Sequence, residues 1–156
     1  MTDRQRNPTG AALSLLILDV FRLNGRLLAE GDRLVAGLGL TSARWQVLGA
    51  IALATAPQPV AWLARSMGLY RQGVQRIVNE LEQEGFVAFA DNPHHRRAKL
   101  VTLTKKGRTA YEAADRMQKP WVNRLAKSLN AADLAAASRV LAALRQRLDE
   151  EAREED

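Results

Sequence analysis

The sequence predicts a mostly α-helical fold with one short β-hairpin, and three observations support this prediction. Apolar residues recur at steps of three and four over most of the chain, which is the spacing of amphipathic helices. Pro59, Gly68 and Gly85 stand where two short helices would begin and end. Residues 86–90 and 99–103 are strand-like and flank the polar, turn-rich segment DNPHHRR, which indicates a hairpin.

Composition limits the possible functions. The chain has 156 residues, 47% of them hydrophobic, which suits one compact domain or a small domain with helical extensions. The sequence contains no cysteine, so disulfides and thiolate zinc sites are excluded, and His94 and His95 alone cannot form a metal site. We therefore expect no metal or cofactor. The net charge of +6 favours a polyanionic partner.

The sequence gives no sign of a membrane protein. No apolar run reaches the roughly 20 residues that span a bilayer. The N-terminal region is interrupted by Asp19, Arg22 and Asn24 and lacks a small-residue cleavage site, so it does not resemble a signal peptide. We expect a cytoplasmic protein without a membrane partner.

The first 59 residues predict two helices and a loop. A helix is expected from about residue 11 to residue 35, weakened at Gly25 and Gly31 and ended by Gly37-Leu-Gly. Thr41 is expected to cap a second helix, in which Trp45 and Leu48 share one face with Ile51 and Ala52. Residues 55–59 are expected to form a loop.

Residues 59–104 predict a winged helix-turn-helix. Pro59 suits the first turn of a short helix that ends at Gly68, and only Leu69 and Tyr70 separate it from the next helix. Two helices joined so tightly must cross steeply, which is the geometry of a helix-turn-helix. The inward stripe of the second helix is predicted to be Val74, Ile77, Val78 and Leu81. The hairpin that follows would be a two-stranded wing.

Further helices are predicted beyond the wing. Thr104 is expected to cap one that is kinked or broken at Pro120, and Asn130 to cap a last helix with Asp133 in its first turn. The tail, residues 149–156, is mostly acidic and expected to fray. Amphipathic helices on both sides of a winged helix need a partner surface, and a homodimer supplies one. The predicted segments are dimerisation helices at 1–38 and 105–156 and a DNA-binding domain at 39–104, here called the reading head.

The candidate DNA-binding residues fall into three groups. The outward face of the second helix of the helix-turn-helix is polar, and arginine and glutamine there could read bases. The wing carries cations that could enter the minor groove or contact phosphates. The start of the residue 42 helix could hold a phosphate on its free N–H groups. Each group could instead be a solvated surface. In order, the three groups are Arg71, Gln72, Gln75, Arg76 and Asn79; Arg96, Arg97 and Lys99; and Thr41, Ser42 and Arg44.

Gly73 is costly within a helix. It suggests close approach of the backbone either to DNA or to the preceding helix, and the sequence does not separate these two interpretations.

The order of elements resembles the MarR family of bacterial transcriptional regulators over nearly the whole chain. The segments that carry the resemblance are GLTSARWQVLGAI, LARSMGLYRQGVQRIVNELEQEGFV and DNPHHRRAKLVTLTKKG. The resemblance implies a nucleoid-associated homodimer that binds a pseudo-palindrome in double-stranded DNA. It also implies a small aromatic ligand beside Trp45, Leu48 and Tyr111, with Arg22 near enough to hold a carboxylate.

Two positions depart from the family pattern. The family wing often carries Asp-x-Arg, whereas this chain has His95 at the Asp position, so Arg97 would need another residue, such as Asp91, to orient it. The recognition helix of the family often starts at Ser or Thr, and here the position is Tyr70, which cannot cap in that way. The absence of cysteine excludes the peroxide sensing known in one branch of the family.

The sequence therefore predicts a sequence-specific DNA-binding regulator, with repression as the expected mode and release by an aromatic effector. The alternative is a winged-helix module that binds protein or RNA without operator specificity. No nucleophile–base pair, phosphate-binding glycine loop or metal-ligand spacing indicates an enzyme.

Overall fold

The computed structural model describes residues 7–154, which form six α-helices and a three-stranded antiparallel sheet. Residues 1–6 of the predicted N-terminal segment and residues 155–156 of the acidic tail lie outside the described part. A 3₁₀ turn at Ala36–Leu38 follows the first helix. In chain order the elements are α1 (Pro8–Val35), α2 (Ser42–Leu53), β1 (Gln58–Pro59), α3 (Val60–Met67), α4 (Arg71–Gln83), β2 (Val87–Ala90), β3 (Leu100–Leu103), α5 (Lys105–Ala126) and α6 (Ala131–Glu154).

Side-chain caps fix the starts of three helices where the sequence predicted them. The Thr41 hydroxyl accepts the Arg44 N–H at 3.3 Å at the start of α2. The Thr104 hydroxyl accepts the Gly107 N–H at 3.0 Å, and the Asn130 amide oxygen accepts the Asp133 N–H at 2.8 Å. A cap of this kind stabilises a helix by about 1 kcal/mol because it satisfies an N–H that has no partner within the helix.

The hydrophobic core lies mostly within the reading head. Leu48 of α2, Leu63 of α3, and Val74, Val78 and Leu81 of α4 are fully buried against one another. Between α3 and α4 the chain turns at Gly68, which has φ of 65° and donates its N–H to the carbonyls of Ala64 and Arg65. The predicted helix-turn-helix is therefore confirmed, with Ile77 half-buried at the edge of the core.

The sheet has the strand order β1-β3-β2. Strands β2 and β3 form the predicted hairpin, with Val87 opposite Leu103. The predicted loop at residues 55–59 is wrong at its end, because Gln58 pairs with Val101 to add the third strand. A two-residue strand leaves no periodicity to detect. Pro59 is the N-cap of α3 and not part of its first turn.

The chain divides into two compact units, one extending to Met117 and the other beginning at Gln118. In the second unit α6 has no buried residue. Helix α5 continues through Pro120, so of the predicted kink or break the break is wrong, while the kink stays a prediction. Residues 149–154 of the tail belong to α6 and are helical, and the expected fraying stays a prediction.

Candidate nucleic-acid interface

The outward face of α4 is polar because the inward face supplies Val74, Val78 and Leu81 to the core. Five predicted site residues lie together on it and line a shallow groove with Glu80 and Gln83. Gln75 donates a hydrogen bond to the Asn79 side chain at 2.9 Å. These five are Arg71, Gln72, Gln75, Arg76 and Asn79. The arrangement supplies cations and hydrogen-bonding groups on a helix surface that would fit a major groove.

The N-terminus of α4 points a positive end outward. Tyr70 is its N-cap but makes no side-chain cap, as the sequence predicted, and the residue is 91% exposed. No acidic residue occurs in the first turn. Gly73 is exposed, and a Cβ there would meet nothing within 4 Å, which removes packing against α3 as its explanation. The helix dipole and free N–H groups therefore favour an anion at this end.

A larger concavity of about 890 Å³ lies between α4 and the wing. Arg71, Gln75 and Asn79 line one side of it, and Arg97 and Lys99 line the other. Trp62 of α3, which was not predicted as a site residue, also lines it and is 61% exposed. Arg96 is exposed in the same turn of the wing but is not part of the lining. The structure thus joins helix and wing residues in one basic concavity.

Asn92 organises the tip of the wing. Its amide donates to the Ala98 carbonyl at 2.9 Å and accepts the His94 N–H at 3.0 Å. The expectation that Asp91 orients Arg97 is wrong, because the ion pairs of the described residues do not include Arg97. Asparagine can both donate and accept within a turn, which a carboxylate cannot. In the sequence, the Asn92-Pro dipeptide is the feature that could have indicated this turn.

The start of α2 differs from the predicted phosphate site. Ser42 is 5% exposed, its hydroxyl donates to the Leu28 carbonyl at 2.7 Å, and its N–H donates to the Asp32 carboxylate at 2.7 Å. Gly31 permits this close approach, because a Cβ there would collide with the Ser42 hydroxyl. Thr41 remains exposed. These internal partners leave Ser42 without a free group to offer a phosphate.

Arg44 is also engaged within the chain. Its guanidinium lies 2.8 Å from the Glu84 carboxylate and 3.2 Å from the Glu80 carboxylate of α4. The hydrogen bond to Glu84 is the main reason that the pKa of Arg44 is raised, while partial burial acts in the opposite direction. Sequence patterns gave no signal of this bridge, because its partners lie far apart along the chain.

The four candidate ligand residues have different surroundings. Trp45 and Tyr111 are half-buried against the core. Leu48 is fully buried, and its role as a pocket residue stays a prediction. Three residues along a helix turn the side chain by about 300°, and this rotation takes Leu48 from the edge at Trp45 into the core. Arg22 is exposed on α1 and pairs with Asp19 at 3.4 Å.

The described part of the chain contains neither a metal-ligating cluster nor a membrane-spanning helix. No group of three or more acidic, histidine or cysteine side chains in residues 7–154 could hold a metal ion. Within that same range, no helix is long and apolar enough to cross a membrane.

Residues 38–98 match the family model of the MarR family. An uncharacterized protein of Mycobacterium tuberculosis, Rv2011c, is 38% identical over 124 residues, which are 80% of this chain and 85% of that protein. The transcriptional activatory protein BadR of Rhodopseudomonas palustris is 32% identical over 71% of this chain and 65% of its own length.

Solved structures share the fold. The MarR family transcription regulator SP03579 superposes with a TM-score of 0.75 at 22% identity, covering 92% of this chain and 95% of that one. CouR from Rhodococcus jostii RHA1, bound to p-coumaroyl-CoA, has a TM-score of 0.72 at 22% identity, covering 80% and 87%. The reading head and its wing thus define a winged-helix DNA-binding regulator. The chain belongs to the MarR family, a family of transcriptional regulators and not of enzymes.

Proposed function

We propose that the chain is a homodimeric repressor that binds a pseudo-palindromic operator through α4 and the wing. The observation that carries the proposal is the basic concavity in which Arg71, Gln75 and Asn79 face Arg97 and Lys99. Residues on α4 would read base edges, and the wing cations would contact phosphates or the minor groove. Gln72 and Arg76 extend the reading surface, while Arg96 contributes charge at the tip of the wing.

Ser42 and Arg44 are left out of the proposed contact surface, because both have partners within the chain. Thr41 stays in the proposal as an exposed hydroxyl next to the helix N-terminus. The division into dimerisation segments 1–38 and 105–156 and a reading head at 39–104 is likewise proposed. The proposed regulator would act at the bacterial nucleoid, in the cytoplasm.

Exposed apolar side chains on the outer helices α1 and α6 support the dimer. On α1 the exposed fractions of Leu15 and Phe21 are 66% and 69%, and on α6 that of Leu148 is 65%. Soluble monomers rarely expose long apolar stripes, so these helices need a covering partner. A second copy of the chain covers them and also presents two α4 helices to two half-sites.

The proposed effector is a small aromatic acid or its acyl derivative. The aromatic rings of Trp45 and Tyr111 lie at the edge of the core, where a flat ligand could insert. CouR, whose fold this chain shares, is bound to p-coumaroyl-CoA. Arg22 could hold a carboxylate if the ligand displaced Asp19. Such a ligand would release DNA only if it preferred a dimer with wrongly spaced α4 helices.

The direct test selects bound sequences from a random DNA pool and then compares the selected site with scrambled DNA. The proposal expects an inverted repeat preferred by on the order of a thousandfold or more. Binding of all DNA with similar affinity, or stronger binding of RNA or protein, would favour the alternative of a general interaction module. A reporter placed behind the selected site separates repression from the activation that the name of BadR describes.

A further inference from the structure

The bridge from Arg44 to α4 differs from the other ion pairs of the described chain. Those pairs join residues three or four apart on one helix, and their basic side chains are 73–76% exposed. The Arg44 side chain is only 19% exposed, and it joins α2 to α4 across 36 residues of sequence. Arg44 therefore makes a tertiary contact, whereas the others are local contacts within helices.

Both partners of Arg44 lie on the second half of the proposed reading helix or directly after it. Arg44 Nη2 lies 2.8 Å from Glu84 Oε1 and 3.2 Å from Glu80 Oε2, so one guanidinium contacts two successive turns at this end of α4. Both contacts come from Nη2, whose two N–H groups have directions fixed by the plane of the guanidinium, so they restrict rotation more than a freely turning ammonium does. Because the two carboxylates are 39% and 46% exposed, solvent screens the attraction, and its contribution to stability is small.

Glu80 connects this bridge to the reading surface. Its second oxygen, Oε1, lies 3.6 Å from Arg76 Nη1, while Oε2 is held by Arg44. Two arginines thus share one carboxylate, one from inside the fold and one from the exposed face. If Arg44 were absent, Glu80 would be free to turn fully toward Arg76 and compete with DNA for it.

We infer that Arg44 is a positioning residue that fixes the orientation of α4 on α2 and, by engaging Glu80, keeps Arg76 available to DNA. The inference rests on the proposed function, since it concerns the geometry of the reading helix. Arg44 itself needs no contact with DNA. Its loss would reduce discrimination between sequences more than it reduces general DNA affinity or folding stability.

A matched pair of substitutions at the end of α4 tests this role. Glu84→Gln weakens the bridge and removes one negative charge. Glu82→Gln removes the same charge two residues away, from an exposed side chain that takes no part in the ion pairs of residues 7–154. For each variant, the affinity is measured for a site selected from a random DNA pool and for scrambled DNA. Protein concentrations are corrected for the fraction that binds DNA, which a stoichiometric titration gives.

We expect both variants to bind scrambled DNA slightly more tightly, because each loses a negative charge near DNA. Glu84→Gln should lower the preference for the selected site by about tenfold, the size expected for one displaced base contact. Glu82→Gln should keep the parent preference. Arg44→Lys keeps the charge but lacks the planar guanidinium. It should lower the preference for the selected site as Glu84→Gln does, with a nearly unchanged melting temperature.

Equal preferences in the parent, Glu84→Gln and Arg44→Lys would overturn the positioning role while leaving the proposed function intact. A loss of preference shared by Glu82→Gln would also overturn it, since charge alone would then explain the effect. A parent protein that does not distinguish the selected site from scrambled DNA would overturn both the proposed function and this inference.

Discussion

The reading head and the outer helices differ in how they use their apolar residues. In the reading head, Leu48, Leu63, Val78, Leu81 and others form a closed core. Helix α1 has 28 residues but buries only Gly31 and Val35, and α6 has 24 residues and buries none. Burial of apolar area is the main driving force for folding. The reading head therefore has its core within one chain, whereas the outer helices leave most of their apolar residues exposed, which is what the proposed dimer would cover.

The largest expected effect comes from placing a charge on α1. In sedimentation at micromolar concentration, the parent should give twice the chain mass. Phe21→Glu should give the mass of one chain, because a buried carboxylate in an apolar interface is costly. Operator affinity should fall at least about a hundredfold, since the two half-sites would no longer be bound together. Phe21→Leu is the control and should remain a dimer. A parent protein that sediments as a folded monomer would show that the outer helices need no second chain.

The next effect belongs to α4. Arg76→Ala should weaken operator binding by about 1–3 kcal/mol per half-site and relax specificity at one position. Arg65→Ala removes an exposed cation of α3 that lines neither concavity and should have a much smaller effect. Affinities for the operator and for its single-base variants provide the measurement. If Arg76→Ala binds every sequence as the parent does, α4 is not the reading helix.

The wing should contribute affinity more than specificity. Arg97→Ala should weaken binding across many sequences and make the slope of log affinity against log salt shallower, by roughly one for each phosphate that a subunit no longer neutralises. Arg96→Ala is a close comparison, because Arg96 is exposed in the same turn but lies outside the concavity lining, so its loss should weaken binding less than that of Arg97. Unchanged affinity and slope for Arg97→Ala would mean that the tip is only solvated.

The smallest expected effect concerns the start of α4. Tyr70→Ser introduces a side-chain cap that the helix now lacks, and it should raise the free energy of unfolding by about 1 kcal/mol. A denaturant titration measures this, and Tyr70→Ala, which cannot cap, is the control. Equal stability of the two variants would show that a cap at position 70 adds nothing to this helix.

Sequence patterns predicted the features that depend on residues close together along the chain. The buried stripe of Val74, Val78 and Leu81 and the caps at Thr41 and Thr104 follow from spacing within one helix or turn. Contacts between distant segments were missed, because no local pattern indicates them. The pairing of Gln58 with Val101 and the bridge from Arg44 to Glu84 both belong to this class.

The candidate site shows the same limit. Its α4 residues could be predicted because the polar face is the complement of a recognisable apolar stripe. The internal contacts of Ser42 and Arg44 could not be predicted from the sequence, because they depend on the packing of α1 and α4 against α2.

If one dimer places two reading heads on two half-sites, the spacing of those half-sites must control its affinity. On a selected inverted repeat, insertion of about five base pairs at the centre turns one half-site to the opposite side of the duplex. We expect the affinity of the dimer to fall to that of a single half-site. Unchanged affinity after the insertion would contradict the two-headed dimer, because a dimer with fixed reading heads cannot reach both half-sites.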